Sequence, residues 1–401
     1  MQKFNPFGAN QMNKDVHLHS FHAFSGSSNI VKKSPRVSLG SRMKFDAMME
    51  SDDSEETVTF RRKSIQRNAK NLFDTCPIPD MILQMILENL NKVDLCSAMR
   101  TCRRFYSSGN QCKAWRTTDL ADKRINEFTL AALQERKVFA LRLADTKPDA
   151  TLEIPDRRYL NIYNSTVRLQ MLDISRSILE PRHLLLLLKP CQSIKFLSLE
   201  SQKLSDQIML CVSQNQNLLR LDLSLTTGLT HSGVLMLTNR CRRLEELNLS
   251  WCGLNQAMLD VFSSSLTPNV SKLNLSGTAK LRGLNDDLMA KLATSCPNLL
   301  DLDVSDNCDL SDRTIETIEE KLKALNTLSC NRCYGIDPNS YIKLNSSNIK
   351  YLNVHGCITE ANIELFRQVV NRPQVNKQYF STIAKPNGSY SCYMWSQYMS
   401  K

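Results

Sequence analysis

The chain has 401 residues, of which 42% are hydrophobic and 23% are charged, and its formal net charge is +11. This composition is ordinary for a globular protein, and the length suffices for two or three domains or for one elongated repeat array. The longest aliphatic run, Leu184–Leu188, is far shorter than the roughly 20 apolar residues of a membrane-spanning helix. We therefore expect no membrane partner.

Residues 1–72 show neither helix nor strand periodicity, and they contain too little apolar surface to offset the entropy of ordering them. We predict that this region is disordered. Arg61-Arg62-Lys63, with Arg67 and Lys70, is a candidate nuclear import motif. The first ten residues lack the apolar stretch of a secretory signal, so we expect reduced cysteines and a location in nucleus and cytoplasm.

Two helical patterns follow Cys76. The first begins near Pro79 and Asp80, and the second begins at Asp94 and continues to Tyr106. The first helix is apolar around most of its circumference, which exceeds the single stripe that a surface helix needs. About 40 residues cannot cover such a helix on all sides. Its remaining face therefore needs either a partner chain or the domain that follows.

A leucine-rich template, L-x-x-L-x-L-x-x-N/C-x-L, recurs from Leu169 onward. Successive copies start 24 to 29 residues apart, at Leu169, Ile194, Leu218, Leu244, Val270, Leu299, Leu325 and Ile349. Weaker copies begin at Trp115 and Val138. Because one unit cannot cover its own apolar face, the units must stack. The pattern predicts an α/β horseshoe solenoid with a parallel sheet on its concave wall and helices behind.

The residue between the two inward leucines of each strand is polar in every copy, and we expect these side chains to point outward. They are Asp173, Ser198, Asp222, Asn248, Asn274, Asp303, Ser329 and Asn353. The same register assigns Cys330 to a strand slot and Cys333 to a turn slot, so we expect different environments and no metal site. No nucleophile, base and orienter set lies outside the repeat pattern, and we expect neither catalysis nor a cofactor.

Trp251 interrupts the repeat at a position where most other copies hold a small or polar residue. The slot points away from the core, so the indole either anchors a partner or packs on another segment of this chain. Asp306 and Arg332 occupy the same slot in later copies. The tail after Pro373 holds aromatic residues from Tyr379 to Tyr398, and we expect it to fold back over the concave face.

Two sets of motifs carry a resemblance to a known family. Ile78-Pro79, Asp94-Leu95 and Cys102-Arg103-Arg104-Phe105 resemble an F-box, although Met81 replaces its usual glutamate and Phe105 its usual tryptophan. The stretches LEELNLSWC, RCYGI and FSTIAKP resemble the S-phase kinase-associated F-box family. The implied domains are 1–72 (disordered), 73–114 (F-box), 115–372 (leucine-rich repeats) and 373–401 (C-terminal tail).

That resemblance implies a non-catalytic substrate receptor of an SCF ubiquitin ligase, which recruits phosphorylated Cdk inhibitors for degradation. The F-box would hold the SCF adaptor and, through it, a cullin and a RING protein, by Pro79, Ile82, Leu83, Ile86, Leu87 and Leu95. Trp251, Asp306 and Arg332 would bind the substrate together with a small Cks accessory protein. A further family arginine after LNLSG has no counterpart, since Ala279-Lys280 occupies that region.

The sequence leaves three other functions open. One is a leucine-rich-repeat scaffold or inhibitor that acts without a ligase. Another is a phosphopeptide receptor that needs no accessory protein and uses Arg176, Arg220, Lys272 and Arg332. The third, nucleic-acid binding, is disfavoured because basic residues alternate with acidic ones along the repeats.

Overall fold

The computed structural model describes residues 78–126, 129, 132–133, 136–148, 168–278 and 283–386. They all belong to one compact unit that spans Thr59–Lys401. The region predicted to be disordered, the candidate import motif within it and the last part of the tail lie outside the described residues. None of the helices in these described ranges has the length and apolarity that crossing a bilayer requires.

Three short helices form the first module: α1 (Asp80–Glu88), α2 (Lys92–Met99) and α3 (Arg103–Asn110). The side chain of Asn91 caps α2 by accepting the N–H groups of Val93 and Asp94. The prediction of one continuous second helix is wrong. The chain becomes extended at Cys102, whose thiol accepts the N–H of Phe105 and so starts a new helix.

The module has its own apolar core, in which Leu83, Leu87, Leu95, Met99 and Trp115 are buried. Each such side chain contributes about 1.5–3 kcal/mol on burial. The indole N–H of Trp115 donates to the carbonyl of Gly109 at 2.8 Å. Because Trp115 lies two residues before the first strand, this core joins the helical module directly to the solenoid.

The strands confirm the predicted repeat and add its two weaker copies. They are β1 (Thr117–Asp119), β2 (Arg124–Ile125), β3 (Ala140–Arg142), β4 (Lys147–Pro148), β5 (Met171–Asp173), β6 (Phe196–Ser198), β7 (Arg220–Asp222), β8 (Glu246–Asn248), β9 (Lys272–Asn274), β10 (Asp301–Asp303), β11 (Thr327–Ser329), β12 (Tyr351–Asn353) and β13 (Gln374–Val375). Within the described residues, all but β2 and β4 form one 11-stranded sheet in chain order. The pairs are parallel and place the middle leucines side by side.

Helices return the chain between strands and form the outer layer. They are α4 (Pro181–Leu188), α5 (Asp206–Ser213), α6 (His231–Arg240), α7 (Gln256–Ser265), α8 (Asp286–Ser295), α9 (Asp312–Lys321) and α10 (Ile363–Val369), with 3-10 helices at Lys113–Trp115, Pro338–Ser346 and Glu360–Asn362. The side chains of Ser205, Thr230, Asn255 and Asn285 cap four of them. Each cap accepts the N–H three residues later, which satisfies a backbone donor left open by the first turn.

A turn with one left-handed residue ends each strand of the regular repeats. The residues with positive φ at this slot are Arg176, Ser201, Leu225, Trp251, Gly277, Asp306, Arg332 and Gly356. The polar residue at the end of the strand stabilises the turn. Asp222 accepts the N–H of Ser224 at 3.0 Å, and Asn248 accepts that of Ser250 at 3.1 Å. We refer to the eight left-handed residues as the rim.

The predicted outward row of polar side chains is therefore not exposed. Asp173, Asp222, Asn248 and Asn353 lie on the concave side of the sheet, yet each is buried. Their oxygens face the backbone of the turn, as at Ser224 and Ser250. Neighbouring strands, about 4.8 Å apart, leave little space for solvent between these short side chains.

The residue after the rim residue bonds to the preceding repeat. The thiol of Cys252 donates to the carbonyl of Leu223 at 2.7 Å, and that of Cys333 donates to Val304 at 3.3 Å. Asn307 donates to Leu275 at 2.9 Å in the same way. These bonds link successive turns and satisfy buried carbonyl groups.

Cys330 and Cys333 do not lie in different environments. Both are fully buried, and their thiols contact each other, which with burial raises the pKa of Cys330 well above its ordinary value. Burial also raises the pKa of Cys357 to about 11. The thiols of Cys330 and Cys357 are therefore protonated and unreactive at neutral pH. Among the described residues no group of three or more side chains is suited to hold a metal ion.

Candidate functional site

One face of α1 is apolar and open to solvent. The exposed fractions are 70% for Met81, 44% for Ile82, 59% for Met85 and 52% for Ile86. Residues with this spacing lie together on a helix surface. Val93 at the start of α2 is also exposed and extends the same module's apolar surface. A folded module with a complete core thus presents large side chains that its own core does not use.

The six residues predicted to hold the adaptor divide into two groups. Pro79, Ile82 and Ile86 are exposed. Leu83, Leu87 and Leu95 are buried in the module's core, so they support the surface from behind and do not form it. Met81, Met85 and Val93 are also exposed, although they were not predicted from the sequence to bind the adaptor. The apolar circumference of α1 predicts that the helix has a second contact face. Which side of α1 stays exposed is decided by the packing of α2, α3 and Trp115 against it.

Trp251 lies on the rim with φ of 58° and is 52% exposed. Its indole covers the backbone of Gly277, the rim residue of the next repeat. A Cβ atom at Gly277 would lie only 2.5 Å from the ring. The tryptophan is thus supported on one side by its own solenoid and exposes the rest of its surface.

Arg332 and Asp306 form an ion pair along the rim. Arg332 Nη2 lies 2.6 Å from Asp306 Oδ2, and Arg332 Nε also donates to the same carboxylate. This pairing raises the pKa of Arg332. The stem of Arg332 passes over Gly356, where a Cβ atom would approach it to 3.0 Å. Since a guanidinium has five N–H donors, Arg332 can bind a second acceptor while the pair is kept.

The C-terminal segment crosses the concave face. The N–H of Gln378 donates to Asn353 in β12 at 3.1 Å, and the N–H of Ala384 donates to Glu246 in β8 at 3.2 Å. Four strand spacings of about 4.8 Å separate these acceptors, which six extended residues can span. Lys385 then lies 3.6 Å from Glu200. The described part of the tail is therefore bound to both ends of this stretch of sheet.

An aromatic patch forms where the tail leaves the last repeats. Tyr379 stacks on His355 with the ring centroids 4.1 Å apart. Phe380 is 87% exposed, and Tyr334, two residues after Arg332, is exposed as well. Tyr334 and Phe380 were not among the residues selected from the sequence. The position of Phe380 depends on the path of the tail, which the sequence pattern does not encode.

The concave face balances its own charges. Arg220, Glu246, Lys272 and Asp301 open four successive strands and alternate in sign. Glu246 Oε1 lies 3.3 Å from Arg220 and 3.0 Å from Lys272.

The accessory-free phosphopeptide receptor required Arg176, Arg220, Lys272 and Arg332 to bind a phosphate. Each of them has a carboxylate partner, because Arg176 lies 2.8 Å from Asp145 and Arg332 is paired with Asp306. At Arg176, Arg220 and Lys272 a phosphate would have to compete with these carboxylates. The geometry therefore gives this alternative little support.

Burial raises the pKa values of four carboxylates on the concave face, Asp173, Asp222, Asp301 and Asp303. The pKa of Asp301 rises to about 7, mainly through desolvation and then through the nearby charge of Asp303. Desolvation raises the pKa of Asp222 to about 6, against the hydrogen bonds from Ser224. Part of the negative charge on this face is thus suppressed near neutral pH.

The fold and these surfaces define a class: a leucine-rich-repeat solenoid with an F-box at its start. Comparison with protein families agrees. The model of the SKP2 LRR domain matches residues 129–400, and the F-box-like model matches residues 76–121. Because the first match spans more than half of the chain, the chain belongs to the family of SKP2-type leucine-rich-repeat domains, and the resemblance seen in the sequence is confirmed.

A curated relative and several solved structures are similar to parts of the chain. F-box/LRR-repeat protein 4 of Bos taurus is 29% identical over 181 residues, which cover 44% of this chain and 28% of that protein. Rad7 in the yeast Rad7 and Elc1 complex structure gives a TM-score of 0.45 at 14% identity, covering 76% of this chain and 87% of that one. Internalin C2 of Listeria monocytogenes gives 0.37 at 18% identity, covering 59% and 90%. The chain thus spans less than a third of its curated relative, and the structural similarities carry no information about function.

The contact between Trp251 and Gly277 predicts a specific stability effect. Gly277→Ala should lower the free energy of unfolding by about 1–3 kcal/mol more than Gly253→Ala, because it adds overpacking against the indole to the left-handed strain. Gly253 has a similar positive φ, but a Cβ atom there meets nothing within 4 Å. Urea unfolding of both variants and of Trp251→Ala/Gly277→Ala measures the difference. Equal losses for the two glycines, or no recovery in the double variant, would contradict the contact.

The raised pKa of Asp301 predicts a pH-dependent stability. A carboxyl with a folded pKa of about 7 and an unfolded pKa of about 3.9 binds more protons when folded, so stability falls as the pH rises between these values. Asp301→Asn removes this cost. Its melting temperature should exceed that of the unmodified chain by a margin that grows from pH 5 to pH 8. Asp287→Asn, at an exposed position, serves as the control. A difference in melting temperature that stays constant with pH for Asp301→Asn would contradict the raised pKa of Asp301.

Proposed function

We propose that the chain is a non-catalytic substrate receptor of an SCF-type ubiquitin ligase. The observation that carries this proposal is the exposed apolar face of α1, formed by Met81, Ile82, Met85 and Ile86. The module does not need these side chains for its own core. Membership in the SKP2-type family and the F-box-like match support the assignment of that face to the SCF adaptor.

The mechanism follows from how the two ends of the molecule are joined. The adaptor, and through it a cullin and a RING protein, would bind α1, while the rim presents the substrate. Trp115 belongs to the module's core and leads directly into β1. This short connection would hold the substrate lysines near the ubiquitin thioester and raise their effective concentration, so the receptor itself needs no catalytic group.

For the substrate, we propose a phosphorylated segment of a Cdk inhibitor, bound together with a Cks accessory protein. Trp251 offers a half-exposed indole. Arg332 offers a guanidinium that is 51% exposed and can donate hydrogen bonds to an acidic side chain of the substrate beside Asp306. The exposed Tyr334, Tyr379 and Phe380 add an aromatic surface suited to the accessory protein. Aromatic and arginine side chains of this kind dominate the energy of protein interfaces.

The adaptor assignment predicts that Met85→Asp/Ile86→Asp lowers adaptor affinity at least about 100-fold, because two charges would have to be buried without partners. Surface binding of purified adaptor to the full-length chain measures it. Thr101→Asp, an exposed position of the same module, is the matched control and should bind normally. Since both substituted residues are exposed, the melting temperature should not fall. Unchanged binding by the double variant would exclude this face and favour a scaffold that acts without a ligase.

The rim assignment predicts a separable loss of substrate. Trp251→Ala and Arg332→Ala should each leave the affinity for the adaptor unchanged. Each should lower the affinity for the substrate roughly 30-fold, which corresponds to the loss of about 2 kcal/mol at an interface anchor. Leu225→Ala is the matched control, since Leu225 is an exposed apolar rim residue in an earlier repeat. Titration with a phosphothreonine peptide, with and without a Cks protein, gives the measurement. Tight binding without the Cks protein would contradict the accessory role.

A further inference from the structure

A cavity of about 670 Å³ lies where the helical module meets the first repeats. The end of α3 and the segment after it form one wall, and the residues that precede β3 and β5 form the other. Its lining residues are Tyr106, Ser107, Asn110, Gln111, Cys112, Lys113, Arg116, Arg136, Lys137, Phe139 and Arg168. The volume is within the range of about 300–1,000 Å³ that is typical of small-molecule sites.

Cations converge on this cavity from three separate parts of the chain. Lys113 and Arg116 follow α3, Arg136 and Lys137 precede β3, and Arg168 precedes β5. No aspartate or glutamate lies among the described lining residues. In the described part of the chain, no carboxylate forms an ion pair with the side chain of Lys113, Arg116, Lys137 or Arg168. The concave face differs, because its cations have carboxylate partners there.

The walls are held in place by the fold. The carbonyl of Arg116 accepts the N–H groups of Phe139 and Ala140, both at 2.8 Å, which fixes the distance between the two walls at this point. Arg136 donates to Asn110 at 3.1 Å, and its guanidinium lies 4.0 Å from the ring centre of Trp115. The cavity thus exists before any ligand binds, so the cations are already brought together.

The like charges of Lys113, Arg116, Lys137 and Arg168 lie around one concave site and repel one another, and a bound anion would relieve that repulsion. The neutral lining groups fit the same ligand, since Ser107, Tyr106 and Asn110 carry hydrogen-bond donors. One phosphate group can bind only the cations within hydrogen-bond reach of it, whereas a molecule with several phosphate groups can bind more of them at once. We propose that this cavity binds a compact, multiply phosphorylated small molecule.

The test is calorimetric titration of the full-length chain with inorganic tripolyphosphate, pyrophosphate and orthophosphate. Tripolyphosphate should bind saturably at one site, at least tenfold more tightly than orthophosphate, and more weakly as the salt concentration rises. Lys137→Gln/Arg168→Gln should weaken it at least tenfold. Lys203→Gln/Arg240→Gln removes the same charge from exposed positions elsewhere and should change the affinity less than twofold.

Several outcomes would overturn the proposal. These are no saturable binding, equal weakening in the two double variants, or tighter binding of a 20-nucleotide single strand than of tripolyphosphate, which would indicate an extended nucleic-acid surface. Without the probe, the Lys137→Gln/Arg168→Gln variant should melt at the same or a higher temperature than the unmodified chain, because repulsion is reduced. A lower melting temperature would mean that these cations serve stability. In that case the affinity of the Lys113→Gln variant for tripolyphosphate is measured as an independent test. An unchanged affinity would contradict binding in this cavity.

Discussion

A backbone turn with one left-handed residue ends each strand of the regular repeats, and the positions of Trp251, Asp306 and Arg332 follow from it. The polar residue at the end of the strand accepts the N–H of the turn, as Asn248 does from Ser250. The residue after the rim then bonds to the preceding repeat, as Cys252 does to Leu223. These bonds connect neighbouring turns, so the eight rim residues form one ordered row. Without this arrangement the strands would still pair, but their rim side chains would not be aligned.

The ordered row determines what the solenoid can recognise. Trp251 and Arg332 are three strands apart, which corresponds to about 15 Å at a spacing of about 4.8 Å. That distance suits a peptide or a protein surface and is too long for most small ligands. Each of the two is followed on the rim by a glycine that leaves space for it, since Gly277 lies under the indole of Trp251 and Gly356 under the stem of Arg332. The two large side chains are thereby supported by the repeats that follow them, which reduces the entropy they lose when a partner binds.

The period of the leucines was enough to predict the strands, the outer helices, the turn slot and the two weaker copies at Trp115 and Val138. It was not enough to predict exposure. The polar row from Asp173 to Asn353 is buried because its oxygens bond to the turns, which a pattern of polar and apolar letters does not encode. In the helical module, spacing could not show that Cys102 starts a third helix, since this depends on a thiol that accepts the N–H of Phe105. Likewise, Leu83 and Ile82 look alike in the sequence, and only the packing of Trp115 and α3 separates core from surface.

The connection between the module and the solenoid links the two proposed activities physically. Lys92 of α2 donates to the carbonyl of Thr117 in β1, and desolvation at that position lowers the pKa of the lysine. Arg136 spans the same boundary from the side of the repeats. Since these contacts join secondary-structure elements directly, a rotation of α1 relative to the rim would break hydrogen bonds that are partly buried. A ligand in the cationic cavity would contact both sides of this boundary. Its binding energy would therefore oppose rotation of the helical module relative to the solenoid. If that rotation occurs in the unliganded chain, occupancy of the cavity and the orientation of a bound substrate would be thermodynamically coupled.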